Sequence, residues 1–143
     1  MRRLMLMTLL CAACAGGNAN TKPASNKTLY DRLGGKPAIV AVVDLFVDKV
    51  GKDERINARF ANTDIPHFKG MLVEQICEAS GGPCKYTGKD MKTSHAGMKI
   101  TSDEFTALVE DLKFALDQAK APADAETDLI NALAPMKPDI VGQ

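Results

Sequence analysis

Tryptophan is absent from the 143-residue sequence, tyrosine and histidine occur twice each, and 18 Lys+Arg balance 18 Asp+Glu to a formal charge of zero. Two histidines leave little from which to build a catalytic constellation. No Ser/His/Asp elbow, phosphate-cradling glycine loop or carboxylate pair stands out either. His67, His95, Cys77 and Cys84 are spaced unlike the ligands of a three-residue zinc site. The charge balance offers no basic stripe of the kind nucleic acid requires. The one apolar run near the N-terminus covers only about ten residues, too few to span a bilayer as a mature helix. Stretches alternating with a strand's period of two are missing as well.

Apolar residues make up 45% of the chain, enough for a real core and against wholesale disorder. The first segment stands apart. Arg2 and Arg3 precede Leu4–Leu10 and then small residues to Gly17, the order of an export signal. We expect residues 1–15 to be that signal and 16–27, rich in Gly, Asn, Thr and Ser, to be a flexible tether. Ala12-Ala13-Cys14 resembles a bacterial lipoprotein processing site with Cys14 as the acylated residue, although Cys11 stands where such sites usually carry Leu. Ordinary cleavage after Ala15 is the other reading. Both imply an exported, periplasmic protein, touching a membrane only through an N-terminal lipid. Cys11 and Cys14 form a CxxC by pattern, but no strand precedes them and they sit in the cleavage region, which argues against a redox site.

Residues 28–143 read as one all-α domain. Ile39, Val43, Phe46 and Val50 form a helical stripe, with Val40 and Val47 beside it. Phe68, Leu72, Ile76 and Ala79 form a second, and Phe105, Leu108, Val109, Leu112 and Leu116 a third; Leu129, Ala132 and Leu133 begin a last one. Capping-box patterns start at Thr28, Thr87 and Thr101, and Asp64 and Asp124 stand as further caps. The expected helices run near 29–33, 37–50, 64–80, 102–119 and 123–140, with shorter turns near 53–60 and 88–95. Pro135 and Pro138 should bend or fray the last one.

His95 closes the short segment Met91-Lys-Thr-Ser-His95, followed by Ala96-Gly97. An isolated His there is ordinarily a surface or capping residue. Its neighbours favour another role, since the small Ala96 and Gly97 leave room for a flat ring while Met91 and Ile100 supply apolar contact. One His among apolar neighbours is all that a haem requires of its protein.

Tyr30-Asp-Arg-Leu-Gly-Gly35, Gly81-Gly-Pro83, Tyr86-Thr-Gly88 and Met91-Lys-Thr-Ser-His-Ala-Gly-Met-Lys-Ile-Thr101 together resemble the truncated haemoglobins of the first group, in order from Leu29 to Val141. The resemblance implies a two-over-two helical sandwich around haem b, with His95 as the iron ligand, Phe60 against the ring face and Met91 beneath it. Tyr86 and Lys92 match positions near the haem edge, or else are a turn residue and a solvated Lys. In that family a distal Tyr donates to bound oxygen, often helped by a Gln. Here Val47 stands at the Tyr position, and Phe68 and Leu72 at the facing ones. An apolar distal side should release O₂ readily and favour NO or CO in relative terms. Gln75 and His67 are the remaining candidates to act there, with an exposed helix position as the alternative for each.

Cys77 and Cys84 enclose Glu-Ala-Ser-Gly-Gly-Pro. In an exported protein two cysteines are more often joined than free, and a Gly-Gly turn can bring them together; two buried thiols are the alternative. The functional expectation is a haem protein reversibly binding O₂, NO or CO, served by a reductase. The competing readings are nitric oxide dioxygenation or peroxidase-like turnover on the same scaffold, and a haem-free helical lipoprotein adaptor.

Overall fold

The computed structural model describes residues 27–143, so the expected export signal, tether and Cys14 lie outside the described residues. Six α-helices follow one another: α1 (Leu29–Leu33), α2 (Gly35–Lys52), α3 (Ile65–Ala79), α4 (Met91–His95), α5 (Ser102–Gln118) and α6 (Ala123–Leu133). Short 3-10 helices cover Asn57–Phe60 and Ala134–Asp139. Helix α2 makes its main contacts with α5 and α3, while α6 packs on α1, α3 and α5, so that α2 and α5 join the α2/α3 layer to the α5/α6 layer. Among the described residues the only bridge of strand type links Ile100 and Val141, and no helix is long and apolar enough to cross a membrane.

The helix starts are set locally. Thr28 and Asp31 form the capping box of α1, Thr101 and Glu104 that of α5, and Asp64 accepts from the His67 amide to start α3. Two expected caps fail. The Thr87 amide and hydroxyl donate instead to Glu74 Oε2 at 3.0 and 2.7 Å, so α4 begins later, under an Asp90 cap. Asp124 pairs with Arg32 of α1 at 3.0 Å, and Pro122 precedes α6 without a side-chain cap. The last helix also ends earlier than expected. It stops at Leu133 and continues as the 3-10 segment, because Pro135 lacks an amide proton and its ring clashes with a preceding carbonyl.

The stripe of α2 is buried as expected at Ile39, Val43, Phe46, Val47 and Val50, joined by Leu112, Leu116 and Leu129 from the other layer. Val40 departs from it and is 40% exposed. On α5 the buried set is Ala107, Asp111, Leu112, Ala115 and Leu116, whereas Phe105, Leu108 and Val109 are half-buried because they face a cavity. Asp111 is 1% exposed, with Lys49 Nζ of α2 at 3.4 Å and its Oδ2 without a partner. Burial pushes its carboxyl above the ordinary range, and Lys49 opposes that.

The turn after α3 holds α1 in place. The Tyr30 amide donates to Ser80 O at 2.8 Å, and its hydroxyl accepts from the Lys36 amide at 2.9 Å, serving the free first turn of α2. Cys77 and Cys84 are joined by a disulfide across this turn. Gly82 sits so close that a Cβ would lie 2.4 Å from the Tyr30 ring and 2.7 Å from Cys77 Sγ, so no larger residue fits.

Arg59 ties three segments together. Its guanidinium meets Glu104 at 2.8 and 3.1 Å and donates to Met98 O at 2.9 Å. That contact first, then the Thr101 amide, holds the Glu104 carboxyl down from 4.5 to about 2. A depressed carboxyl stabilises the fold above its unfolded value, and the contribution disappears as pH falls through its folded value. Urea titrations of parent and Arg59→Met protein should therefore differ most above pH 4.5 and converge toward pH 2. An equal difference at every pH would refute this role for the pair.

Candidate functional site

A cavity of about 640 Å³ opens between the layers, within the range of sites that enclose a small organic group. Phe46 of α2 forms its floor, and Phe68, Met71, Leu72, Gln75 and Ile76 of α3 form one wall. Met91 and His95 of α4, with Met98 beyond them, form another, closed by Phe105, Leu108 and Val109 of α5. Most of that surface is aliphatic, aromatic or thioether.

His95, half-buried, is the imidazole that α4 contributes to this lining. Its Nδ1 lies 2.7 Å from the carbonyl of Met91, one turn earlier on α4. A carbonyl only accepts, so Nδ1 carries the proton and donates, and Nε2 keeps a lone pair for an electrophile. The same hydrogen bond fixes the ring orientation, as outer partners of metal-bound histidines do. The Asp90 cap makes the short helix possible: its carboxylate accepts from the Thr93 amide at 2.9 Å and hydroxyl at 2.7 Å.

Phe60 and Phe68 meet with ring centroids 5.4 Å apart and planes tilted by 43°, giving the cavity a flat aromatic corner. Tyr86 lines the rim, but its hydroxyl donates to Lys89 O at 2.8 Å and so shapes the 86–89 turn. Burial, then the Asp90 and Glu74 charges, raises its phenol above the ordinary range. The turn is tight, since a Cβ on Gly88 would lie 2.3 Å from the Tyr86 hydroxyl oxygen.

Of the residues singled out in the sequence, His95, Phe60, Phe68, Leu72, Met91 and Tyr86 converge on the cavity. Two do not. Val47 is buried yet absent from the lining, where Phe46 stands; adjacent helical residues point about 100° apart, and a short Val does not reach round. Lys92 is exposed and outside the wall, and the lysine at the rim is Lys89. Lys89 precedes the start of α4, so its place follows from the turn and not from helical spacing. Gln75 and His67 also line the cavity. The Gln75 amide is engaged with Met91 Sδ at 3.3 Å and Met136 Sδ at 3.4 Å, and His67 is exposed at the first turn of α3.

The arrangement suits a flat apolar ring carrying an acidic edge and a metal that takes neutral imidazole. Apolar walls can cover the faces, Lys89 stands at the rim for the anionic edge, and His95 offers Nε2.

The bacterial-like globin family profile matches residues 28–141. The group 1 truncated hemoglobin GlbN of Mycolicibacterium paratuberculosis is 36% identical over 122 residues, 85% of this chain and 90% of that protein. A group 1 truncated hemoglobin of Tetrahymena pyriformis is 32% identical over 117 residues, 82% of this chain and 97% of that protein. The crystal structure of the latter's Fe(III) form superimposes with a TM-score of 0.79, covering 82% of this chain and all of that one. The 2/2 hemoglobin of Synechococcus, in a cyanomet state with covalently attached heme, gives 0.75 at 27% identity, covering 80% of this chain and 98% of that one.

Proposed function

Because the chain belongs to the bacterial-like globin family, as a group 1 truncated haemoglobin with haem b as its cofactor, we propose that it reversibly binds a diatomic gas at an iron held by His95. The haem, when bound, would supply the iron at which O₂, NO or CO binds. The protein's residues do the rest. The observation that carries the reading is His95 itself, whose Nδ1–H is committed to Met91 O, which leaves Nε2 as the ring atom available to a metal at an apolar cavity. Phe60 and Phe68 would cover the ring, and Lys89 would meet a carboxylate at the rim. Absorption spectra of the ferric, ferrous and CO-treated protein test this directly. A Soret band that shifts with CO is expected, and a purified protein that takes up no haem would sink the proposal.

Phe68 and Leu72 make the α3 wall apolar, and the one amide beside them, Gln75, is already engaged with two sulfurs. That wall would offer O₂ no donor hydrogen bond to slow its departure. Such a bond is worth roughly 1–3 kcal/mol. Leu72→Gln should therefore slow O₂ dissociation by about 5- to 150-fold, with CO dissociation far less affected. Stopped-flow displacement of O₂ by CO measures it, and an unchanged rate would place another donor at the site. A reductase that keeps the iron ferrous completes the proposed cycle. We propose in addition that the protein acts outside the cytoplasm, released from the 1–15 leader or anchored through Cys14. Mass spectrometry of the mature N-terminus separates the two.

A further inference from the structure

Residues 27–143 contain four methionines, Met71, Met91, Met98 and Met136, and all four line the cavity. Chance placement would scatter some of them through the core or over the surface. Three lie on the His95 side. Met91 stands one turn before it on α4, Met98 follows it by three residues, and Met136 belongs to the 3-10 segment packed on α4. The Met91 and Met136 sulfurs both take the Gln75 amide. Met71 is different. It comes from α3, in the wall that also carries Phe68 and Leu72, and its sulfur meets no donor among the described residues.

A thioether is a soft donor that iron accepts opposite a histidine, and the pairing raises the reduction potential. The α3 wall holds only two side chains able to ligate iron, His67 and Met71, one turn apart on the same face. His67 is exposed in the first turn. Met71 sits one turn further along, half-buried, between Phe68 and Leu72, and its three rotatable bonds let the sulfur travel. Resting on the haem reading above, we propose that Met71 is a second iron ligand, which binds opposite His95 when no gas is present and is displaced when gas enters. The protein would then hold its iron as a His/Met pair of raised potential, biased to the ferrous state that gases require. Any incoming gas competes with an internal thioether.

The test uses haem-loaded protein, Met71→Leu and His67→Ala, read by electron paramagnetic resonance, magnetic circular dichroism and CO recombination. Leu conserves volume, so the fold should survive, and circular dichroism checks that it has. Parent protein is expected to be low-spin and to show the weak near-red sulfur-to-iron charge-transfer band. Met71→Leu should lose both, lower the reduction potential and speed CO association by about tenfold if the thioether occupies the iron nine-tenths of the time. His67→Ala should change none of these. A high-spin parent, or a low-spin signature that survives Met71→Leu and vanishes in His67→Ala, overturns the Met71 assignment while leaving the haem reading intact. Failure to take up haem at all would overturn both.

Discussion

Replacing His95 by alanine should abolish haem uptake, leaving a folded helical protein with no Soret band. The expectation follows from the bond removed and from what remains around it. His95 presents Nε2 because Nδ1–H is held by Met91 O at 2.7 Å, and no other imidazole lies in that wall. Deleting an outer-shell partner of a metal ligand typically costs 10- to 100-fold in affinity. Deleting the ligand itself should exceed about a hundredfold, the residual binding coming from the apolar walls and the Met71 thioether. Helical content should be nearly unchanged, since α4 contributes five residues and its Asp90 cap is untouched. His95→Gly with added imidazole should recover the Soret band, because free imidazole can fill the gap. A normal band in His95→Ala would move the iron ligand elsewhere and remove the basis of the functional proposal.

The second large effect concerns stability. Removing both cysteines, as Cys77→Ser with Cys84→Ser, should lower the thermal midpoint by about 8–12 °C. The bridge closes a loop with a sequence separation of 7. Closing so short a loop restricts the unfolded chain by about 2–3 kcal/mol in the chain-entropy account. For a domain of this size each kcal/mol moves the midpoint by about 4 °C. Native contacts reinforce the effect, since Gly82 packs on Cys77 Sγ and the Tyr30 ring, and Ser80 O receives the Tyr30 amide. Loosening the turn therefore loosens α1 as well as the end of α3. Calorimetry of oxidised, reduced and doubly substituted protein measures this. Equal midpoints in all three would refute it, and two free thiols in unreduced protein would show that the bridge is not formed.

What could be read from the sequence was what local chemistry determines. The Thr28, Asp64 and Thr101 caps involve a side chain and an amide three residues away, so spacing alone specifies them. Thr87 looked equivalent, yet Glu74 reaches it from α3 across a gap that no local pattern records. Asp111 escaped notice because its partner Lys49 lies on another helix, and a carboxylate within an apolar stripe reads as a solvated edge. That His95 and Phe60 line one cavity was legible through the resemblance's ordered motifs. The exchange of Phe46 for Val47 and of Lys89 for Lys92 as cavity neighbours was not, since each turns on side-chain direction at a helix or turn boundary. The methionines were legible as a count but not as a cluster, for their assembly requires α3, α4 and the 3-10 segment to meet.

The last residues of the chain have a structural task that bears on how the protein is made. Ile140 is buried in the cavity wall, Gly142 N–H donates to Ile100 O at 2.9 Å, and Lys99, held at a φ of 51°, donates to Gln143 O. The segment following His95 is thus clasped by residues 140–143. Vectorial synthesis delivers those residues after all six helices, so the helical layers can assemble while the part of the cavity wall that Ile140 closes is still open. Until residues 140–143 arrive, Ile100 O and the Lys99 amide lack these partners, and the segment after His95 is the last part of the cavity wall to be fixed.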